Sequence, residues 1–133
     1  MTIFEKIIKG EINAYKIYED EITYAFLDAN PHNKGHILVI PKKPYETFID
    51  IPDETLQYLI LIVKKIAKNT KNILNSDGYN IVMNNGVFAN QTVPHAHFHI
   101  IPRTEGDVEL YTKPINLNLK ESDFELLQER LSL

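Results

Sequence analysis

The segment His95-Ala96-His97-Phe98-His99-Ile100-Ile101 constrains the fold more than any other, because polar and apolar residues alternate along it. Side chains of an extended strand point by turns to opposite faces of a sheet, so three imidazoles share one face while Ala96, Phe98 and Ile100 share the other. Successive imidazoles on that face stand about 6.6 Å apart along the strand. One half-buried histidine is an ordinary strand residue. Three in strict alternation are not, since protonating one ring opposes protonation of its neighbours and makes the strand needlessly sensitive to pH. The segment predicts a sheet with one structural face and one face that does chemistry.

The rest of the chain predicts what such a sheet needs around it. With 133 residues, 44% of them hydrophobic, it is long and apolar enough to bury one core, and residues 1–133 are read as a single domain. Thr2-Ile3-Phe4-Glu5 has capping-box spacing and Gly10 follows as a stop, predicting a short helix over 3–9. Strands are predicted over Tyr15 to Glu19, Ile22 to Leu27 and His36 to Ile40. Pro52-Asp53-Glu54 suits a helix start, and Leu56, Leu59, Ile60, Val63, Ile66 and Ala67 keep helical period, so the main helix spans about 53–74. Its lysines 64, 65, 68 and 71 are read as a solvated face without function.

A strand over Tyr79 to Asn84 is expected to pair with the histidine strand as a hairpin, placing Asn84 near His95. Ser122-Asp123-Phe124-Glu125 is a second capping box, opening a terminal helix near 123–131 with Phe124, Leu127 and Leu131 on one side. Residues 103–120 predict no element. The sum is an α+β fold: a five-stranded antiparallel sheet with a long helix, a short N-terminal helix and an added C-terminal helix, the helices expected on one face.

Composition removes several function classes. The charge balance, 14 − 18 = −4, does not suit the phosphates of a nucleic acid duplex. The absence of cysteine excludes disulfides, thiol nucleophiles and thiolate metal sites, so any metal would rely on histidine and oxygen. The longest apolar run, Tyr58 to Val63, is too short for a bilayer, and the N-terminal residues lack a signal-peptide core. The expectation is a soluble cytoplasmic protein with neither a membrane nor a nucleic acid partner. No Gly-rich Walker loop is present.

Two chemistries suit aligned imidazoles. One is a metal centre, with His36 or an acid completing the shell. The other is phosphoryl or nucleotidyl transfer, in which a neutral imidazole attacks phosphorus while its neighbours hold the phosphate oxygens. The neighbouring sequence carries Asn84, Gln91 and Thr92, whose neutral donors suit phosphate oxygens better than a metal shell.

The alternating segment resembles the signature of the histidine triad (HIT) family. So do Thr2-Ile3-Phe4, Lys6-Ile7-Ile8-Lys9-Gly10-Glu11-Ile12, Ala25-Phe26-Leu27-Asp28, Gly35-His36-Ile37-Leu38-Val39-Ile40-Pro41-Lys42-Lys43, Asn84-Asn85-Gly86 and Gln91-Thr92-Val93. The likeness covers about residues 2–103 and is closest to the branch of histidine triad nucleotide-binding proteins and adenosine phosphoramidases. It implies a homodimeric hydrolase of purine nucleotides that cleaves P–N or P–O bonds at the α-phosphorus through a nucleotidyl-histidine intermediate. By position, His97 matches the nucleophile, His95 and His99 its phosphate-binding flanks, and His36 a fourth histidine beside them. Gln91, Thr92 and Asn84 match phosphate and leaving-group contacts, and Asp28 matches the ribose ligand. Ile3, Phe4, Ile7, Phe26, Leu27 and Leu38 match the base pocket. An imidazole whose far nitrogen donates to a backbone carbonyl is held in one tautomer, which suits a nucleophile.

Three departures from the family pattern qualify the resemblance. Where many bacterial relatives place two cysteines of a structural zinc site, this chain has Thr2 and Glu5, so the expectation is no cofactor, with His36 and His95 metal-free. Asn90 stands where relatives often have glycine, so either asparagine holds a left-handed backbone or the loop changes shape. Residues 104–133 do not match the family's short tail, which leaves the leaving group open. A dinucleoside polyphosphate hydrolase, a histidine metal site and a nucleotide-binding adaptor of weak activity are the alternative readings.

Overall fold

A computed structural model of the protein describes residues 1–107 and 117–132. Residues 108–116, inside the stretch for which the sequence predicts no element, lie outside the described residues, as does residue 133. The elements in order are α1 (Ile3–Ile8), β1 (Lys16–Glu19), β2 (Thr23–Leu27), β3 (Ile37–Pro41), α2 (Asp53–Leu74), β4 (Gly78–Val82), β5 (Phe98–Arg103) and α3 (Glu121–Leu131). Single 3-10 turns lie at Phe48–Asp50 and Val87–Ala89. The strands form one antiparallel sheet of order β1-β2-β3-β5-β4, so the strand that carries His99 lies inside the sheet, between β3 and β4.

Local chemistry explains the element boundaries. The Thr2 hydroxyl accepts from the Glu5 N–H (3.1 Å) while the Glu5 carboxylate accepts from the Thr2 N–H (2.9 Å), so the capping box forms and satisfies two orphan donors of α1. In α2 the acids Asp53 and Glu54 fill the first turn after Pro52, and Asn75 ends the helix with a left-handed backbone, φ 50°.

Period two in the strands then divides the core in two. Ala25, Ile37, Val39, Phe98 and Ile100 pack against Leu59, Ile62, Val63, Ile66 and Ala67 of α2. Tyr24, Phe26, Leu38 and Ile40, the alternate residues of β2 and β3, pack against Phe4 and Ile7 of α1. The helices therefore cover opposite faces, which corrects the expectation of helices on one face. The six-residue α1 supplies only Phe4 and Ile7, three positions apart on one side, as a buried pair, and these cap the second face locally.

Two boundaries also differ from expectation. The histidine strand begins at Phe98 rather than His95, and β4 ends at Val82 rather than Asn84. Pro94 has no N–H to give a ladder, the His95 N–H turns back to Val93 O (2.8 Å), and the Ala96 N–H leaves the sheet for Tyr45 O (2.7 Å). The alternation nonetheless survives outside the ladder, since Ala96, Phe98 and Ile100 all belong to the α2-side core. At the other end of the chain, α3 starts two residues before the position its expected box implies. The Asp123 carboxylate accepts from the Lys120 N–H (2.8 Å), and Phe124, Leu127 and Leu131 are exposed.

The loop from Asp28 to His36 is fastened to the end of β5. Asn33 Nδ2 donates both to Pro102 O (2.9 Å) and to Asp107 Oδ2 (2.8 Å), and Asp107 also accepts from Arg103 Nε (3.1 Å). Gly35 closes this loop at φ 86°, where an added Cβ would press on Leu74 and come within 3.3 Å of Pro102 Cγ. Gly35→Ala is expected to destabilise the fold by roughly 1–2 kcal/mol, from the left-handed backbone together with the contact, as measured by urea unfolding.

Candidate active site

Burial and hydrogen bonding give each histidine one role. His97 Nδ1 lies 2.7 Å from the carbonyl oxygen of His95. A carbonyl only accepts, so this nitrogen carries the hydrogen and Nε2 keeps a free lone pair. His95 is tied in the same way: Nε2–H donates to Pro41 O (2.7 Å), which leaves Nδ1 an acceptor for the Thr2 hydroxyl at 3.1 Å. The His32 backbone N–H donates to His36 Nδ1 (3.0 Å), which makes His36 Nε2 a donor to His99 Nδ1 at 2.9 Å. His99 in turn retains a hydrogen on Nε2.

All four rings are held below the usual imidazole pKa, chiefly by burial. For His99, burial and the nearby His97 and His36 bring the pKa down to about 4. At neutral pH the cluster is uncharged, one lone pair free on His97 and one donor on His99. The rings are close enough to act together: His97 and His99 have centroids 4.9 Å apart, and His36 and His99 5.1 Å.

His97 and His99 open into a cavity of about 650 Å³ shared with Asp28, Asn30, His32, Val82, Asn84, Asn90, Thr92 and Ile101. The cavity thus brings together six of the residues that the sequence selects: His97, His99, Asp28, Asn84, Thr92 and, as a departure from the family pattern, Asn90. Val82 pairs with His99, and just beyond that last pair Asn84 lines the same cavity as His97. Asn90 adopts φ 68° with ψ 26°, so asparagine itself holds a left-handed backbone here.

Other selected residues lie elsewhere. His95 is fully buried and does not line the cavity. Gln91 is buried beneath the loop: its Oε1 accepts from the Gly86 N–H (2.7 Å), and its Nε2 donates to Glu46 O (2.6 Å) and Val93 O (3.0 Å). With these bonds made, the amide braces the loop that carries Asn90 and Thr92. Phe4, Ile7, Phe26 and Leu38 form the α1-side core, and the Phe4 ring meets His97 edge-on at 5.0 Å. Ile3 is 48% exposed. Leu27 packs with the α2-side core, on the face opposite Phe26.

Asn30, His32, Val82 and Ile101 join the cavity without having been selected from sequence. Period two extended one step past His99 reaches Ile101, so that residue had a signal. Val82 needed the hairpin register, and Asn30 and His32 needed the path of a loop. His36 bonds to His99, while His95 bonds to Pro41 O and Thr2. Among the described residues, the ligand-type atoms that converge belong to Asp28, His36 and His99, within 4.8 Å of one another. His36 and His99 already share a hydrogen bond there.

Comparison with known proteins agrees with this geometry. The HIT domain family matches residues 9–106. An uncharacterized HIT-like protein of Methanocaldococcus jannaschii is 59% identical over 83% of this chain and 84% of its own length. The adenosine 5'-monophosphoramidase of Saccharomyces cerevisiae is 42% identical over 94% of this chain and 75% of its own. The crystal structure of a HIT family member from Bacillus subtilis superimposes with a TM-score of 0.87 at 38% identity, over 98% of this chain and 94% of that one. With its buried imidazole relay, its sheet and these likenesses in accord, the chain belongs to the HIT domain family.

Proposed function

We propose that this chain is a nucleotide hydrolase that cleaves a P–N or P–O bond at the α-phosphorus of a purine nucleoside monophosphate derivative, with adenosine phosphoramidate as the simplest substrate. The observation that carries the reading is the 2.7 Å bond from His97 Nδ1–H to His95 O inside a cavity large enough for a mononucleotide. It points the His97 Nε2 lone pair into the site at neutral pH. The similarity to a named monophosphoramidase supports the same substrate class.

In the first step His97 Nε2 bonds to phosphorus and the P–N bond breaks, the departing nitrogen taking up a proton from solvent. Charge that develops on the phosphoryl oxygens meets the His99 Nε2–H and the side chains of Asn84, Asn90 and Thr92. In the second step water attacks phosphorus, the N–P bond breaks, a proton returns to solvent and His97 is neutral again. Asp28 lies in the same cavity and is positioned to accept from ribose hydroxyls, its Oδ1 also accepting the Asn30 N–H (2.8 Å). A dinucleoside polyphosphate would enter the same sequence with a different leaving group. A metal at Asp28, His36 and His99 is the competing reading, and full turnover in excess chelator removes it.

The working unit in this reading is a homodimer. β4 is an edge strand, with Tyr79 and Ile81 exposed beside Ile60 of α2. Unpaired strand edges with apolar neighbours are natural pairing surfaces. Sedimentation equilibrium is expected to give twice the 15.4 kDa chain mass, and Ile81→Glu to shift it towards the monomer.

His97→Ala is expected to lower turnover of adenosine phosphoramidate by at least about a thousandfold, as is usual for loss of a nucleophile. Mass spectrometry of wild-type protein quenched during turnover should find the nucleotidyl adduct on His97. Because burial lowers the pKa of His97 and brings that of His99 to about 4, the fall in rate on acidification should set in below the pH at which a free imidazole would protonate. A rate that halves near pH 6.5 would contradict the buried neutral cluster.

A further inference from the structure

We propose that the Thr2 hydroxyl, besides capping α1, is a positioning residue for the reaction, acting on His97 through His95. The inference rests on the reading that His97 is the nucleophile. The Oγ1 atom of Thr2 stands between two groups. It accepts from the Glu5 backbone N–H (3.1 Å), as an N-cap does, and it lies 3.1 Å from His95 Nδ1. Since His95 Nε2 must donate to Pro41 O, Nδ1 is bare, and only a donor satisfies it. The hydroxyl hydrogen is that donor. One oxygen therefore closes the helix and selects the His95 tautomer.

The consequence reaches the nucleophile because the His95 carbonyl accepts the His97 Nδ1–H, while the Phe4 ring, two residues beyond Thr2, packs edge-on against both rings at 5.6 and 5.0 Å. His95 is fully buried, so its neutral ring has no water to replace a lost partner. If Thr2 fails to donate, His95 either leaves a buried acceptor bare or takes a hydrogen on Nδ1. In the second case a neutral ring surrenders its bond to Pro41 O. Either change loosens the carbonyl that sets the direction of His97 Nε2. The groups facing His95 from the packed elements are Glu5, Thr2, Phe4, His97 and the Pro41 carbonyl, and Glu5 is the charged one among them.

The decisive comparison is between substitutions that keep the cap and those that keep the donor. Thr2→Ser keeps both and should retain activity within about threefold. Thr2→Asp keeps a strong N-cap but presents an acceptor to His95 Nδ1. It should match the wild-type melting temperature within a few degrees yet lower kcat about tenfold or more with KM little changed, the cost of one buried hydrogen bond in the transition state. Thr2→Val removes both functions and should lose activity and stability together. Imidazole 15N NMR supplies a readout that a mere cap would not move. Wild type should show His95 protonated on Nε2 with bare Nδ1, and Thr2→Asp should move the hydrogen to Nδ1.

Thr2→Asp with wild-type kcat, or a wild-type His95 that carries its hydrogen on Nδ1, overturns the proposal. If Thr2→Asp does not fold, the wild-type 15N shifts still decide it. Failure of the underlying reading would look different: His97→Ala would stay active while the His95 tautomer followed residue 2 as described.

Discussion

The hydrogen bond from His97 to the backbone of His95 is the constraint on which the rest of the site depends. A free imidazole samples two tautomers and rotates about its bonds, and a catalytic one must do neither. Here the acceptor is a peptide oxygen two residues upstream, on a stretch that bends before the sheet ladder begins. Pro94 and the His95 and Ala96 N–H groups, bonded to Val93 and Tyr45, keep that stretch out of the ladder, and its freed carbonyl orients the side chain. The remaining imidazoles follow the same logic, each held by a carbonyl, a backbone N–H, a hydroxyl or another ring, so that burial keeps them neutral without leaving them free to turn.

Burying three uncharged rings beside a half-buried fourth requires a firm frame, and the two-faced sheet supplies it. On one side α2 seals the sheet along six buried positions, from Leu59 to Thr70. On the other side α1 covers only part of the surface, and the histidines take the area it leaves. The short helix thereby acts as both wall and hinge-post: Phe4 fills the core beneath it and also touches His95 and His97.

Much of this was legible in the residues. Capping signals, the helical period of α2 and the alternation from 95 to 101 each rest on local geometry, so the elements and the character of the histidine face follow directly from them. The residues that escaped depend on long-range placement. Gln91 matches a phosphate contact by position, and its amide bonds three backbone groups across a loop, a placement that no local signal gives. Leu27 and Phe26 are neighbours in sequence and both match the base pocket by position, although period two sends them to opposite faces. Asn30 and His32 enter the cavity through the course of a loop that carries no periodicity. Asn90 shows the reverse: its identity alone left two outcomes open, and its backbone angle selects one.

The clasp made by Asn33 ties the segment bearing Asp28, His32 and His36 to the strand that bears His99. In the proposed reading, the groups assigned to the sugar and to phosphorus therefore sit on segments laced together by one asparagine, so a change at residue 33 would disturb both ends of a bound mononucleotide at once.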